Sequence, residues 1–137
     1  MAMVRQSARR GNVLVETALV LPLLLVLTLG LLEYGWLFLK AQQITNASRQ
    51  GARVGARADA TVAEITAAVD GAMAAGGLAD SGFALAITPV DPSALIAGEA
   101  LTVEISVPYA NIGLGVPLVP TPAVLDATVT MAREGPP

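Results

Sequence analysis

The sequence begins with a polar, arginine-containing segment and then changes to a long apolar stretch. This stretch runs from Val13 to Leu39 and contains two charged residues, Glu16 and Glu33. A membrane-spanning helix needs about 20 predominantly apolar residues, so one crossing with some tilt is expected. The alternative is a core helix of a soluble protein, but such helices average only about 11 to 12 residues. The pattern therefore predicts a single transmembrane helix.

Helical periodicity continues past Lys40 as far as Ala58, without an intervening proline. The first helix is therefore expected to project well out of the bilayer. A second helix is predicted over residues 61–75, because Thr61 and Glu64 have the spacing of a capping box and apolar residues then follow with a helical period. The glycine pair that follows is expected to end this helix.

The pattern next changes to alternation with a period of two, which is typical of half-buried strands. It is visible in residues 83–87, clearest in residues 101–107, and less regular in residues 124–132. Residues 108–122 are rich in proline and glycine and predict a loop, which serves either as a contact surface or as a plain connector.

The expected fold class is α+β: a long N-terminal transmembrane helix extends into a small extracytoplasmic domain with a second helix and a roughly three-stranded antiparallel sheet. The expected division of the chain is a basic leader peptide in residues 1–11, the transmembrane helix in residues 12–40, and the extracytoplasmic helix with its α+β domain in residues 41–137.

The flanks of the apolar stretch predict its orientation. Arg5, Arg9 and Arg10 precede it, and positive charge favours the cytoplasmic side. Tyr34 and Trp36 lie near its other end, where aromatic rings favour the headgroup level. A secretory signal peptide would have a shorter apolar core and a small-x-small cleavage site, which this stretch lacks. The N-terminus is therefore expected in the cytoplasm.

Composition argues against catalysis and against binding of nucleic acid. The chain has no cysteine and no histidine, so it lacks thiolate chemistry and the commonest general base and metal ligand. No nucleophile with a base and no phosphate-cradling loop is evident, and we expect no enzyme activity, cofactor, metal or small-molecule substrate. Without the three leader arginines, five basic residues face eleven acidic ones, a formal charge of −6 that repels a phosphate backbone.

Two sets of residues are candidates for function. Glu16 is an ionisable group inside an apolar helix, which is costly and suggests a function; the alternative is a carboxylate that reaches the cytoplasmic headgroups. Further along, the arginines at 49, 53 and 57 share one helical face and the glycines at 51 and 55 lie on another. These faces are candidates for partner contact, with a solvated stripe and packing inside the chain as the alternative. The five residues are Arg49, Gly51, Arg53, Gly55 and Arg57.

Residues 9–17 read RRGNVLVET, which resembles a class III prepilin peptidase site with cleavage after Gly11. Further blocks follow in order: ETALVLP at residues 16–22, EYG at residues 33–35 and ASRQGAR at residues 47–53. Together these blocks resemble the TadE-like family of tight-adherence, Flp-type pilus systems. A weaker echo, LDATVTMAR, lies at residues 125–133.

The resemblance implies a pilin-like (pseudopilin) protein of the bacterial inner membrane that acts in pilus biogenesis, adhesion or surface colonisation. Gly11 would be the last leader residue, Asn12 the new N-terminus, and Glu16 an assembly residue. The implied partners are the membrane, a prepilin peptidase, other pilin-like subunits and the tight-adherence assembly platform. Thr17 stands where the major pilins of these systems have an aromatic residue, which favours a minor component. The alternative is an uncleaved signal anchor that holds an extracytoplasmic binding module.

Overall fold

The structure is a computed structural model that describes residues 5–135, with side chains described for residues 13–135. It contains two α-helices and a three-stranded sheet. The elements in chain order are α1 (Arg5–Gly55), α2 (Val62–Ala75), β1 (Ala84–Thr88), β2 (Ala100–Pro108) and β3 (Val124–Ala132). The predicted α+β class with a long N-terminal helix is confirmed.

The first helix, α1, has 51 residues and is continuous through Pro22. At 1.5 Å per residue it is about 75 Å long. The apolar side chains from Val13 to Leu32 are almost all exposed, and none of the most apolar 18-residue window is buried. The apolar stretch is therefore not a core helix of the folded domain. Its length and composition are sufficient to cross a membrane.

The end of α1 differs slightly from the expectation. Helical periodicity extended to Ala58, but α1 ends at Gly55. Beyond it the amide of Arg57 bonds the carbonyl of Val54 in a tighter turn, and the chain reverses toward α2. Periodicity alone could not show this, because small residues such as alanine suit a turn as well as a helix.

The second helix begins with the expected capping box. The Thr61 hydroxyl accepts a hydrogen bond from the Glu64 amide at 3.3 Å, and the Glu64 carboxylate accepts one from the Thr61 amide at 3.0 Å. These reciprocal bonds satisfy amides that a helix N-terminus leaves without partners. The helix ends at Ala75 with Gly76 as its C-cap, and Gly77 has a positive φ of 66° as the chain leaves it.

The three strands form an antiparallel sheet in the order β1-β2-β3. The central strand, β2, runs back along α1, with Leu101 near Gly55 and Tyr109, just past its end, bonded to Glu33. Four alternate residues of β2 are buried, whereas Glu104 on the other face is exposed. The period-two pattern therefore correctly predicted which face of β2 meets the helices. The four buried residues are Leu101, Val103, Ile105 and Val107.

The hydrophobic core lies between the outer half of α1, α2 and the sheet. Its largest apolar members are Ile44, Ile65, Met73, Leu78, Leu101 and Ile105. The rest of the domain extends along α1 at least as far as Gly30, where a β-carbon would lie 4.0 Å from Val119. The domain thus reaches into the outer end of the range predicted as transmembrane.

Candidate functional site at the two ends of the apolar helix

The inner end of the apolar helix carries Glu16. Its side chain is exposed and lies on the same surface of α1 as Val13 and Val20. Gly11 and Asn12 lie within α1, but their side chains are outside the described residues, as is all of residues 1–4. The processing site therefore stays a prediction. Glu16 lies about 21 Å along the helix from Gly30, the position of α1 that comes near Val119 in the connection between β2 and β3.

The outer end of the apolar helix carries Glu33, which is in an opposite environment. Glu33 is 0% exposed. The Tyr109 hydroxyl donates to its Oε1 at 2.6 Å, and the amide of Val116 donates to its Oε2 at 3.2 Å. Both donors belong to residues 109–123, the connection between β2 and β3, which we call the proline-rich loop. A carboxylate buried in this way is stabilised by charge-assisted hydrogen bonds.

Two aromatic residues that follow Glu33 within one helical turn also hold the proline-rich loop. The Tyr34 hydroxyl donates to the carbonyl of Pro120 at 3.0 Å, and the Trp36 indole donates to the carbonyl of Ile112 at 2.6 Å. We call the side chains of Glu33, Tyr34 and Trp36 the loop clamp. The headgroup level expected for the two aromatic residues stays a prediction, whereas the structure shows that each of them bonds the proline-rich loop.

Tyr109 is held as a hydrogen-bond donor. Burial, reinforced by the hydrogen bond to Glu33, raises the pKa of Tyr109 to about 12. The hydroxyl therefore keeps its proton throughout the physiological pH range. Glu33 and Tyr109 thus form a fixed acceptor and donor pair that joins the helix to the start of the loop.

Lys40 lies between the loop clamp and the end of α2. Its side chain is buried, its ammonium donates to the carbonyl of Gly76 at 3.3 Å, and it lies 4.9 Å from the centre of the Trp36 ring. A cation at a helix C-terminus is favoured by the helix dipole, and the aromatic face attracts it further. Lys40 therefore fixes the end of α2 against α1.

The two glycines proposed for partner contact pack inside the chain. A β-carbon at Gly51 would lie 2.6 Å from Val69, and one at Gly55 would overlap Leu101. Only glycine permits this approach of α1 to α2 and β2. For the glycines, the structure shows the alternative that the sequence left open, packing within the chain. Ser48, from the same sequence block, donates to the carbonyl of Val103 at 2.8 Å and is buried as well.

The three arginines differ from one another. Arg57 lies 3.1 Å from Glu64 and 3.9 Å from Asp59, so it links the end of α1 to the start of α2. The hydrogen bonds from Thr61, with a smaller contribution from Arg57, lower the pKa of Glu64. Arg49 and Arg53 are exposed and form no salt bridge within the described part of the chain. Their contact with a partner stays a prediction.

The candidate residues do not form one site. Glu16 and Arg49 lie on one helix about 50 Å apart, and among the described residues no three acidic side chains come together as a metal ion would need. Sequence reasoning missed the pairing of Glu33 with Tyr109, which are 76 positions apart. The EYG block contains Glu33 and Tyr34 of the loop clamp, but no spacing in the sequence indicated which loop residues they contact.

The weaker C-terminal block forms most of β3, and its last residue, Arg133, lies at the end of the domain furthest from the apolar helix. The Arg133 guanidinium donates to the carbonyls of Pro92 and Ala58, and the Glu134 amide donates to the carbonyl of Ala56 at 2.7 Å. These bonds join the end of β3 to the turn after α1 and to the connection between β1 and β2. The block therefore has a structural role in this chain.

Comparison with known proteins gives one match. Neither the curated proteins nor the solved structures contain a significant match to this chain. The family model described as TadE-like protein matches residues 11–53. The match covers most of α1, including Glu16 and the helix side of the loop clamp, whereas the proline-rich loop lies outside it. Residues 11–53 are therefore similar to the TadE-like family, which confirms the resemblance drawn from the sequence.

Proposed function

We propose that this protein is a pilin-like (pseudopilin) component of a tight-adherence pilus assembly system. It is a single-pass protein of the bacterial inner membrane, with its N-terminus in the cytoplasm and its α+β domain outside. The observation that carries the proposal is the exposed apolar helix of a TadE-like segment, with Glu16 near its start and a basic segment before it. The role is structural, in pilus biogenesis, adhesion or surface colonisation.

Processing is the first step of the proposed function. A prepilin peptidase cleaves after Gly11 and leaves Asn12 with a free ammonium group close to the bilayer. A charge in that position is costly, and a carboxylate from a neighbouring subunit offsets the cost. Glu16 is suited to this pairing because it lies exposed on α1, beyond the reach of the outer domain. The partners are other pilin-like subunits and the assembly platform.

The mass of the N-terminal peptide of the protein purified from its native host tests processing. We expect a peptide that begins at Asn12. A mature protein that still begins at Met1 would contradict the proposal and favour the uncleaved signal anchor with a binding module.

Two glycines of α1 provide a matched pair for the processing step. Gly11→Ala is expected to impair cleavage, because the side chain alters the residue at the scissile bond. Gly35→Ala is the control, since a β-carbon at Gly35 meets no heavy atom within 4 Å. Equal cleavage of both variants would remove Gly11 from the proposed role.

Glu16→Ala separates processing from assembly. We expect the variant to be cleaved normally but to reduce surface piliation, since only the pairing with the neighbouring subunit is lost. Normal piliation by this variant would remove the assembly role of Glu16 and leave the processing site unaffected.

A further inference from the structure

The proline-rich loop has an unusual composition for a surface segment. There is no charged residue between Glu104 and Asp126. Two of its leucines are open to the surroundings: Leu114 is 51% exposed and Leu118 is 88% exposed. Single exposed leucines are common on protein surfaces, but larger exposed apolar patches mark contacts with a protein or a membrane, so the surroundings of these leucines decide their meaning.

The loop lies at the height where the apolar helix leaves the bilayer. The hydrocarbon core is about 30 Å thick, which corresponds to about 20 helical residues. Counted from Val13, the first apolar residue of the stretch, that thickness ends near Leu32. The loop meets α1 at this point, with Val119 beside Gly30 and Val116 bonded to Glu33. The loop that carries the two exposed leucines therefore lies beside the end of the exposed apolar part of α1.

The backbone of the loop is suited to a poorly hydrated place. Unpaired amides and carbonyls are costly near hydrocarbon. Pro117, Pro120 and Pro122 have no amide proton to satisfy. The clamp pairs the amide of Val116 and the carbonyls of Ile112 and Pro120. Three backbone groups of the loop are therefore satisfied by side chains of α1 where the loop meets the helix.

The backbone at Leu118 is strained, and packing within the protein does not offset the cost of this strain. Its φ is 71°, in the left-handed region, which is unfavourable for a residue with a β-carbon. Glycine would remove that cost. A leucine that is both strained and exposed indicates that its side chain contacts something outside the chain.

We propose that the proline-rich loop lies in the outer interface of the bilayer, with Leu114 and Leu118 inserted among the lipid chains. The loop is a second membrane contact beside α1, and the loop clamp fixes the outer domain against the lipid surface. A second protein copy is less suitable as the occupant, because two leucine side chains fall far short of the roughly 800 Å² per partner of a stable interface. The inference rests on the proposed function only in that α1 spans a membrane.

Site-directed spin labelling of the full chain tests the inference, because the protein has no cysteine of its own. Single cysteines at positions 118, 24 and 96 carry a nitroxide in vesicles of phosphatidylethanolamine and phosphatidylglycerol. Leu118→Cys keeps a β-carbon at the strained position and probes the loop. Leu24→Cys lies in the apolar stretch, where the native side chain is 56% exposed. Ile96→Cys lies at the far end of the domain, where the native side chain is 69% exposed.

Collision with oxygen, which concentrates in lipid, is compared with collision with a water-soluble nickel chelate. We expect the oxygen preference of the label at 118 to be several-fold higher than at 96 and below that at 24. A label at 118 that is as accessible to the nickel chelate as the label at 96 would overturn the inference.

Two further outcomes locate the cause of a failure. If the label at 24 is also accessible to the nickel chelate, α1 does not span the vesicle membrane, and the proposed function fails together with the inference. If the label at 118 is shielded from both reagents, and the shielding increases with the ratio of protein to lipid, a second copy covers the loop. That result would overturn the assignment of lipid as the occupant.

Discussion

The two acidic residues of the apolar segment, Glu16 and Glu33, lie on the same helix in opposite surroundings. Glu16 is exposed, whereas Glu33 is fully buried and accepts hydrogen bonds from Tyr109 and Val116. A carboxylate in an apolar helix is costly unless something compensates it. The chain's own fold compensates the outer carboxylate, and in the proposed function a neighbouring subunit compensates the inner one. The groups that contact each carboxylate, and not the residue type, therefore decide whether we assign it to the fold or to assembly.

The largest effect is expected from Glu33→Ala. The substitution leaves the Tyr109 hydroxyl and the Val116 amide without their acceptor, and an unpaired buried donor destabilises a fold. We expect the proline-rich loop to detach from α1, and residues 112–120 to exchange their amide protons faster. Hydrogen exchange followed by mass spectrometry measures this in detergent micelles.

Glu104→Ala is the matched control for that variant. It removes a carboxylate of the same domain that is exposed on β2. Loop exchange that is equally fast in both variants would mean that Glu33 does not hold the loop.

The next largest effect is expected on the outer half of α1. Gly51→Ala places a β-carbon 2.6 Å from Val69 and 3.2 Å from Val103, both β-branched and buried. Such overpacking destabilises by about 1–3 kcal/mol. Chemical unfolding of the full chain in micelles measures the free energy of unfolding. A Gly51→Ala variant as stable as the parent would show that α1 does not pack this closely.

Substitution of a second glycine gives a useful comparison, because it is expected to raise the free energy of unfolding instead of lowering it. Gly71 lies exposed in α2, and a β-carbon there meets nothing within 4 Å. Gly71→Ala is therefore expected to stabilise the chain by about 0.5–1 kcal/mol through helix propensity. A loss of stability at this position would contradict the described exposure of α2.

Much of the fold could be predicted from local patterns. The capping box of Thr61 and Glu64 fixed the start of α2, and the alternation around Val103 fixed both the central strand and its buried face. The third strand was predicted with the bounds of β3, residues 124–132. These features depend on residues that are close in sequence, and therefore a single sequence shows them.

The contacts between distant segments could not be predicted. Nothing in the spacing of residues 33–36 indicates that they bind a loop lying 76 positions or more further on. The glycines at 51 and 55 are also ambiguous in the sequence, because a row of small residues suits a partner helix as well as an internal one. Only the three-dimensional arrangement shows that Val69 and Leu101 occupy that space.

The smallest effect is expected on the ionisation of the Tyr109 hydroxyl. The pKa of Tyr109 is raised from 10 to about 12, so the folded state favours the protonated hydroxyl. This stabilisation is complete below about pH 10 and is lost as the pH rises through about 12. Ultraviolet difference absorbance of the tyrosinates is expected to show one of the two tyrosines ionising only near pH 12.

A Glu33→Gln variant tests the cause of that shift. Part of the raised pKa comes from the carboxylate, so the late ionisation is expected to move to lower pH when the charge is removed. An unchanged late titration in this variant would mean that burial alone raises the pKa.

The comparison of the two acids is tested most directly by thermal unfolding of Glu16→Gln and Glu33→Gln in the same micelles. The single tryptophan, Trp36, belongs to the loop clamp, so its fluorescence reports the release of the loop. We expect Glu16→Gln to unfold at the temperature of the parent and Glu33→Gln to release the loop at a clearly lower temperature. Equal midpoints for the two variants, or a lower midpoint for Glu16→Gln, would contradict the assignment of Glu33 to the fold and Glu16 to assembly.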